Sequence, residues 1–334
     1  ALAAKWHADG ELSGVLGIGG SAGTAIGTAA MRALPLGVPK IMVSTLASGQ
    51  VRHYVGDKDI CMLNSVVDIS GLNRISRLVL GGAARAMAGM VKFPRDPGPA
   101  GEKQLVAATM FGVTTPCVER AKQVLEDAGY EVLVFHATGN GGQAMEGLIA
   151  DGLLAGVLDL TTTELADEFA GGFLTAGPQR LTAAARAGVP QVVSVGATDM
   201  ANFHAPESVP EKFRGRTFYR HNPSVTLMRT TPEENAQIGE DIGRKVSTSC
   251  GPACLVFPLR GVSAIDRQGQ PFDDPAARTA LLEGLRRTRG GVELVELDHH
   301  INDPEFAEFC AHRLLELMRL AAPQSLARTP GPRD

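Results

Sequence analysis

The sequence predicts an α/β protein of two similar domains with mainly parallel sheets. Three observations carry that expectation. Strand-like apolar runs alternate with helix-like runs, the order that gives parallel strands joined by right-handed crossovers. A block recurs: "DGELSGVLGIGG" (Asp9 to Gly20) matches "DGLLAGVLDLTT" (Asp151 to Thr162), and "GVPKIMVS" (Gly37 to Ser44) matches "GVPQVVSV" (Gly188 to Val195). Turns dense in glycine or threonine sit where a strand hands over to a helix. Together these place two Rossmann-like, three-layer domains in a chain of 334 residues, a length comfortable for two domains.

The elements follow in order. "ALAAKWHADG" reads as the end of a helix, and a strand then starts near Val15. A glycine loop, a small-residue helix, Gly37-Val38-Pro39 and a strand from Lys40 to Val43 complete the first copy. The second copy has a prelude of strand, amphipathic helix, strand, Gly-rich loop and helix, with Val118, Ala121, Val124 and Leu125 at helical spacing. The first copy has none, so domain 1 is expected to be truncated at its N-terminus. Proline, glycine and charge in "FPRDPGPAGEKQ" mark a linker at 96–103, between domain 1 (1–95) and domain 2 (104–322), with a frayed tail at 323–334. Thr231 caps a helix that starts at Pro232, with Glu234 closing a capping box. "ACLVFP" and "GVELVELD" are strands, and "DPEFAEFCAHRLLELMRLA" is a terminal helix capped at Asp303-Pro304.

Composition removes several classes. Net charge is −4 with no basic stripe, so nucleic acid is not expected as a partner. No apolar run is long enough for a membrane span and no signal peptide is present, so a cytoplasmic protein is expected. Cys61, Cys117, Cys250, Cys254 and Cys310 are scattered, the pattern of reduced and mostly buried thiols. Neither Cys250 and Cys254 nor His299, His300 and Asp303 have the arrangement a metal site needs.

The stretch "VLGIGGSAGTAIGTAAM" fits three motifs at once. Gly17, Gly19 and Ala22 spell a dinucleotide fingerprint, but no Asp or Glu lies between Glu11 and Asp57 to take ribose hydroxyls. The second such loop, at Gly139, Gly141 and Ala144, has Asp159 alone at a suitable distance. Gly19-x-Ser21-x-Gly23 has the spacing of a nucleophile elbow, yet no histidine spacing among His53, His136 and His204 selects a triad. The phosphate cradle asks least: amides at a helix N-terminus attract an anion, and glycines let it approach. Gly19, Gly20, Ser21, Gly23 and Thr24 supply it, and Ser44, Thr45, Ser48 and Gly49 follow the next strand at its carboxyl end. Domain 2 offers a second ligand cluster in Gly139, Asn140, Gly141, Gly142 and Gln143 with Thr161, Thr162, Thr163 and Glu164.

The blocks "GVLGIGGSAGTAIGTAAMRALPLGVPKIMVSTLASGQVRHYVGDKDI" and "SVVDISGLNRIS" resemble the tomato mosaic virus resistance protein-like ATP-binding domain family. The resemblance continues through "FHATGNGGQAME", "RHNPSVTLMRTTPEE" and "HINDPEF" and covers nearly the whole chain. It implies two Rossmann-like domains, ATP as ligand, a homodimer and, in its plant member, a protein partner. The resulting expectation is a nucleotide-binding protein with phosphates on the first glycine loop; no carboxylate directly follows that loop, and Asp57, Asp59 and Asp68 are the nearest options for accompanying Mg²⁺. Two alternatives stand beside it. One is a hydrolase or transferase acting on a small acidic metabolite in an interdomain cleft, with Ser21 or His204 as catalytic candidates. The other is a protein-binding scaffold stabilised by nucleotide.

Overall fold

The computed structural model describes residues 2–93 and 102–321. The linker residues 94–101 and the tail 322–334, including the frayed tail expected from the sequence, lie outside the described residues. The chain divides into two compact units, Ala1–Glu102 and Lys103–Asp334.

The first unit runs α1 (Leu2–Ala8), β1 (Val15–Gly19), α2 (Ser21–Arg32), β2 (Lys40–Ser44), α3 (Arg52–Val55), β3 (Cys61–Asn64) and α4 (Arg74–Lys92). Its three strands are parallel in the order β1-β2-β3. Successive residues of a strand point to opposite faces, so β2 is clad on both sides. Met42 packs against Met31 of α2, whereas Ile41 and Val43 pack against Ala83 of α4.

The second unit runs β4 (Leu105–Met110), α5 (Thr115–Asp127), β5 (Glu131–His136), α6 (Asn140–Ala150), β6 (Gly156–Thr161), α7 (Thr163–Ala170), α8 (Ala183–Ala187) and β7 (Gln191–Gly196). It continues through β8 (Met200–Phe203), β9 (Phe218–Asn222), β10 (Val225–Arg229), α9 (Pro232–Ser247), β11 (Ala253–Pro258), α10 (Pro275–Thr288), β12 (Glu293–Leu297) and α11 (Pro304–Ala321). Six parallel strands form one sheet in the order β12-β11-β7-β6-β4-β5. β6 and β7 are buried along their whole length, as strands covered on both faces must be. Val192 joins α5 and α11 in one core, and its neighbour Val193 joins α7, α9 and α10 in the other. Of the cysteines, Cys117, Cys254 and Cys310 are buried thiols, whereas Cys61 and Cys250 are exposed. Among the described residues no helix is long and apolar enough to cross a membrane.

The repeat is visible in the backbone. Val15 N–H donates to Pro39 C=O at 2.8 Å and Val157 N–H to Pro190 C=O at 2.9 Å, locking β1–β2 and β6–β7 in the same register. Gly10 and Gly152 close the preceding helices at φ of 75° and 74°, a left-handed backbone that favours glycine. One element was absent from the expectation: an antiparallel sheet, β8-β10-β9, follows β7.

Candidate functional site

In the first unit the glycine loop joins β1 to α2. Gly20 is the N-cap and offers no side-chain hydrogen bond, so the first-turn amides of Ser21, Ala22 and Gly23 have no acceptor within the helix. Gly19 must be glycine, because a Cβ there would lie 2.6 Å from Gly23 Cα. Gly20 has room, with Thr45 Oγ1 3.8 Å from such an atom. Thr24 and Ser44 are fully buried and their hydroxyls bond each other at 2.7 Å, while Ser44 Oγ also accepts from Leu46 N–H. These two side chains tie α2 to the end of β2. Ser21, Ser48 and Gly49 are exposed and Thr45 is half-buried. All these positions lie at the carboxyl ends of parallel strands, where open α/β sheets bind ligands.

Among the described residues of its unit, Ser21 has no hydrogen-bonded histidine or carboxylate: His7 faces Leu12 C=O, and His53 lies tilted against Tyr54 at 3.9 Å between ring centroids. Asp59 is taken by the buried Lys40, at 2.6 Å, and by Gly37 N–H. Asp68 is exposed in the turn after β3, its Oδ1 accepting from Ile69 N–H.

The second glycine loop already holds an anion, and it is the protein's own. Gly139 and Gly142 N–H donate to Glu164 Oε1 at 2.7 and 3.1 Å. Glu164 Oε2 accepts from Arg180 Nε at 2.6 Å, and Arg180 forks onto Asp159 at 2.5 and 2.7 Å. Arg180 is fully buried, and the carboxylates around it hold its guanidinium charged against the cost of burial. Glycine is required by contact here: a Cβ on Gly142 would sit 2.2 Å from Glu164 Oε2, and one on Gly141 1.9 Å from His136 C=O. Asp159 therefore faces Arg180 rather than a ribose. Glu146 accepts from the amides of Leu181, Thr182 and Ala183, which holds Leu181 at its left-handed φ of 71°. Thr161, Thr162 and Thr163 are buried, with Thr161 bonded to Thr114 and Thr162 to Ser194 C=O. Asn140 and Gln143 are exposed, and His204 stacks on Phe173 at 3.8 Å. Arg180 escaped the sequence reading because it lies outside any periodic run.

A second buried network surrounds Asp199, which follows Ala197 at a left-handed φ of 57°. Ser263 Oγ donates to Asp199 Oδ2 at 2.8 Å, while Oδ1 has no partner among the described residues. Burial and the neighbouring Asp266 push the Asp199 carboxyl up to about 7, and Asp266 itself is raised by burial against the pull of Arg229 and Arg278. Asp167, bonded to Asn202, is likewise pushed up to about 7 by burial. Among the described residues no group of His, Cys, Asp and Glu is placed to hold a metal ion.

Comparison with known proteins agrees along the chain. The family described as "Uncharacterised protein family (UPF0261) N-terminal domain" matches residues 1–96, and its C-terminal counterpart matches 103–318. A UPF0261 protein of Clostridium tetani is 54% identical over 309 residues, covering 92% of this chain and 76% of the relative. The ToMV resistance protein Tm-1(GCR237) of Solanum lycopersicum is 44% identical over 314 residues, which is 92% of this chain and 42% of the relative. The ToMV susceptible protein tm-1(GCR26) of the same plant is 42% identical over 320 residues, 94% of this chain and 42% of the relative.

Proposed function

The chain belongs to the UPF0261 family, and from that premise we propose that it binds a nucleotide, ATP, with the phosphates on the loop Gly19–Thr24. The observation that supports this is the contrast between the two copies. At the start of α7, Thr163 and Glu164 are buried and Glu164 is bonded within the protein. At the matching start of α2, Ser21 and Ala22 are exposed and no side chain caps the helix. Three free amides and the positive end of a helix dipole attract an anion. Ser21, Thr45 and Ser48 add donors at the same strand ends, whereas Thr24 and Ser44 hold the loop in shape. Asp68 is the carboxylate available to Mg²⁺ carried on the phosphates.

The test is thermal unfolding with ATP, ADP or NAD, each with and without Mg²⁺. Ligand a hundredfold above its Kd stabilises by about 2.7 kcal/mol, enough to move the midpoint. Gly20→Leu is the informative variant. The backbone at Gly20 is extended with φ of −76° and space beside it, so leucine is tolerated by the fold but covers the amides. ATP is expected to stabilise the wild type and not the variant. No shift with ATP, or an equal shift in both, overturns the proposal.

A further inference from the structure

A cavity of about 670 Å³ opens in the second unit, beyond the carboxyl ends of β11 and β12. Its volume lies in the range of small-molecule sites, and its position is where doubly wound sheets bind ligands. The segments leaving the two strands stay paired as they form its wall, with Leu259 N–H donating to Leu297 C=O and Arg260 N–H to His299 C=O. Arg260, Arg267, Arg278, Asp273 and Asp303 are among its lining residues. None of them belongs to the glycine loops or to the network around Arg180, and Arg278 alone reaches the Asp199 network, through Asp266.

Arg278 projects from α10, and its side chain is 13% exposed. Nη1 alone makes its bonds, to Asp266 Oδ1 at 2.7 Å and Asp273 Oδ1 at 3.0 Å. Nε and Nη2 have no protein acceptor among the described residues, yet they are not sealed from solvent, so their N–H groups serve the cavity that Arg278 lines. Arg267 bonds Asp303 Oδ1 through Nη2 only, at 3.2 Å, which leaves Nε and Nη1. At the mouth, Arg260 forks onto Asp298 in a pair that is 63% and 71% exposed, a kind worth little in water and easily exchanged.

The remaining groups set what kind of anion fits. His300 forms part of the wall and is buried. Its Nε2 donates to Ser263 C=O and its Nδ1 accepts from Asn302 N–H, a pattern only the neutral ring makes, and burial lowers its pKa further in that direction. Positive charge in the wall therefore comes from guanidinium alone. Asp273 accepts from Arg278 and from Gly269 N–H, and Asp303 from Arg267 and from His300 N–H, one donor to each oxygen, so each carboxylate oxygen keeps a second lone pair for a hydroxyl donor. Guanidinium forks with spare N–H groups take a phosphate or carboxylate in bidentate fashion. From this pairing of donors and acceptors we infer that the cavity binds a small acidic polyol, a sugar phosphate or a sugar acid, through Arg267 and Arg278 on the acid group and Asp273 and Asp303 on hydroxyls. This site is independent of the nucleotide reading of the first unit.

The experiment is titration calorimetry of the full chain with D-glucose 6-phosphate, D-gluconate, inorganic phosphate and D-glucose. At least one of the two acidic polyols is expected to saturate the protein with Kd below about 1 mM. Phosphate should bind more weakly and glucose not at all. Whichever polyol binds tighter distinguishes the phosphate from the carboxylate source. Arg267→Ala and Arg278→Gln are each expected to weaken it about tenfold or more, the usual effect of losing a charged hydrogen-bond partner. Arg267 is 53% exposed, so its variant decides the matter if Arg278→Gln does not fold. Gly20→Leu should leave the titration unchanged, which separates failure here from failure of the nucleotide proposal. Saturation by neither polyol, or unaltered binding in Arg267→Ala, overturns the inference.

Discussion

At the scale of single residues, the second unit buries charge in two different ways. Arg180 is surrounded by acids whose lone pairs are met by amides and guanidinium: Asp159 also accepts from Thr109 Oγ1, and Glu164 from two glycine amides. Asp199 is not so served. Burial and a second acid nearby outweigh its one hydroxyl donor, its own backbone amide and the charge of Arg229, and among the described residues one oxygen is an orphan, so the uncharged form is favoured on folding. The sign of the pH dependence follows. A carboxyl that titrates near 4 when unfolded and at about 7 when folded takes up a proton on folding throughout that interval. Its contribution to stability is complete below the unfolded value and is lost as pH climbs through 7. Replacing Asp199 by Asn removes this titration, so the urea midpoint of Asp199→Asn should fall less than that of wild type between about pH 5 and pH 8. Parallel declines in the two proteins would reject the assignment, since Asp167 titrates in both.

Local chemistry decides which elements could be read at the scale of helices and strands. The start of α9 was legible from four residues, because capping is settled within one turn. Thr231 Oγ1 accepts from Glu234 N–H at 3.2 Å, and Glu234 Oε2 from Thr231 N–H at 2.8 Å. Thr231→Ala should cost about 1 kcal/mol in urea unfolding. Arg216 holds the Glu234 carboxylate from outside the helix, so the other half of the box survives, and an unchanged midpoint would mean that this pair fixes the turn by itself. The same signal marks α10, where Asp274 precedes Pro275 and accepts from Ala276 and Ala277 N–H. The antiparallel sheet carried no such signal. β9 is exposed at all five positions, so no alternation betrays it, and β8 finds its partner β10 only across a long excursion. Pairing at that distance is a property of the folded chain, not of any window of sequence.

The whole molecule is a repeat whose copies keep one backbone and part ways in what stands at the helix start. The shared skeleton was legible as repeated Asp-Gly and Gly-Val-Pro, and it returns as the same inter-strand bond in each unit. The divergence was partly legible too: Gly17 and Ala22 stand where the second copy has Asp159 and Glu164. What the sequence did not disclose is that these acids meet Arg180 and the loop before α6, because the contact joins segments far apart in the chain. The comparison yields a test that a mere loss of folding cannot imitate. Ala22→Glu places in the first unit a carboxylate like the one at the start of α7. Ala22 is exposed in the first turn of α2, which has no acid of its own, and an acid there complements the helix dipole by about 0.3–1 kcal/mol. The variant should therefore melt no lower than wild type. Its carboxylate also occupies and repels at the same amides that are proposed to hold phosphate, so the stabilisation by ATP should vanish. Stability and nucleotide response then move in opposite directions, a result that damage to the fold does not produce. An undiminished ATP shift in Ala22→Glu would remove the nucleotide from the start of α2.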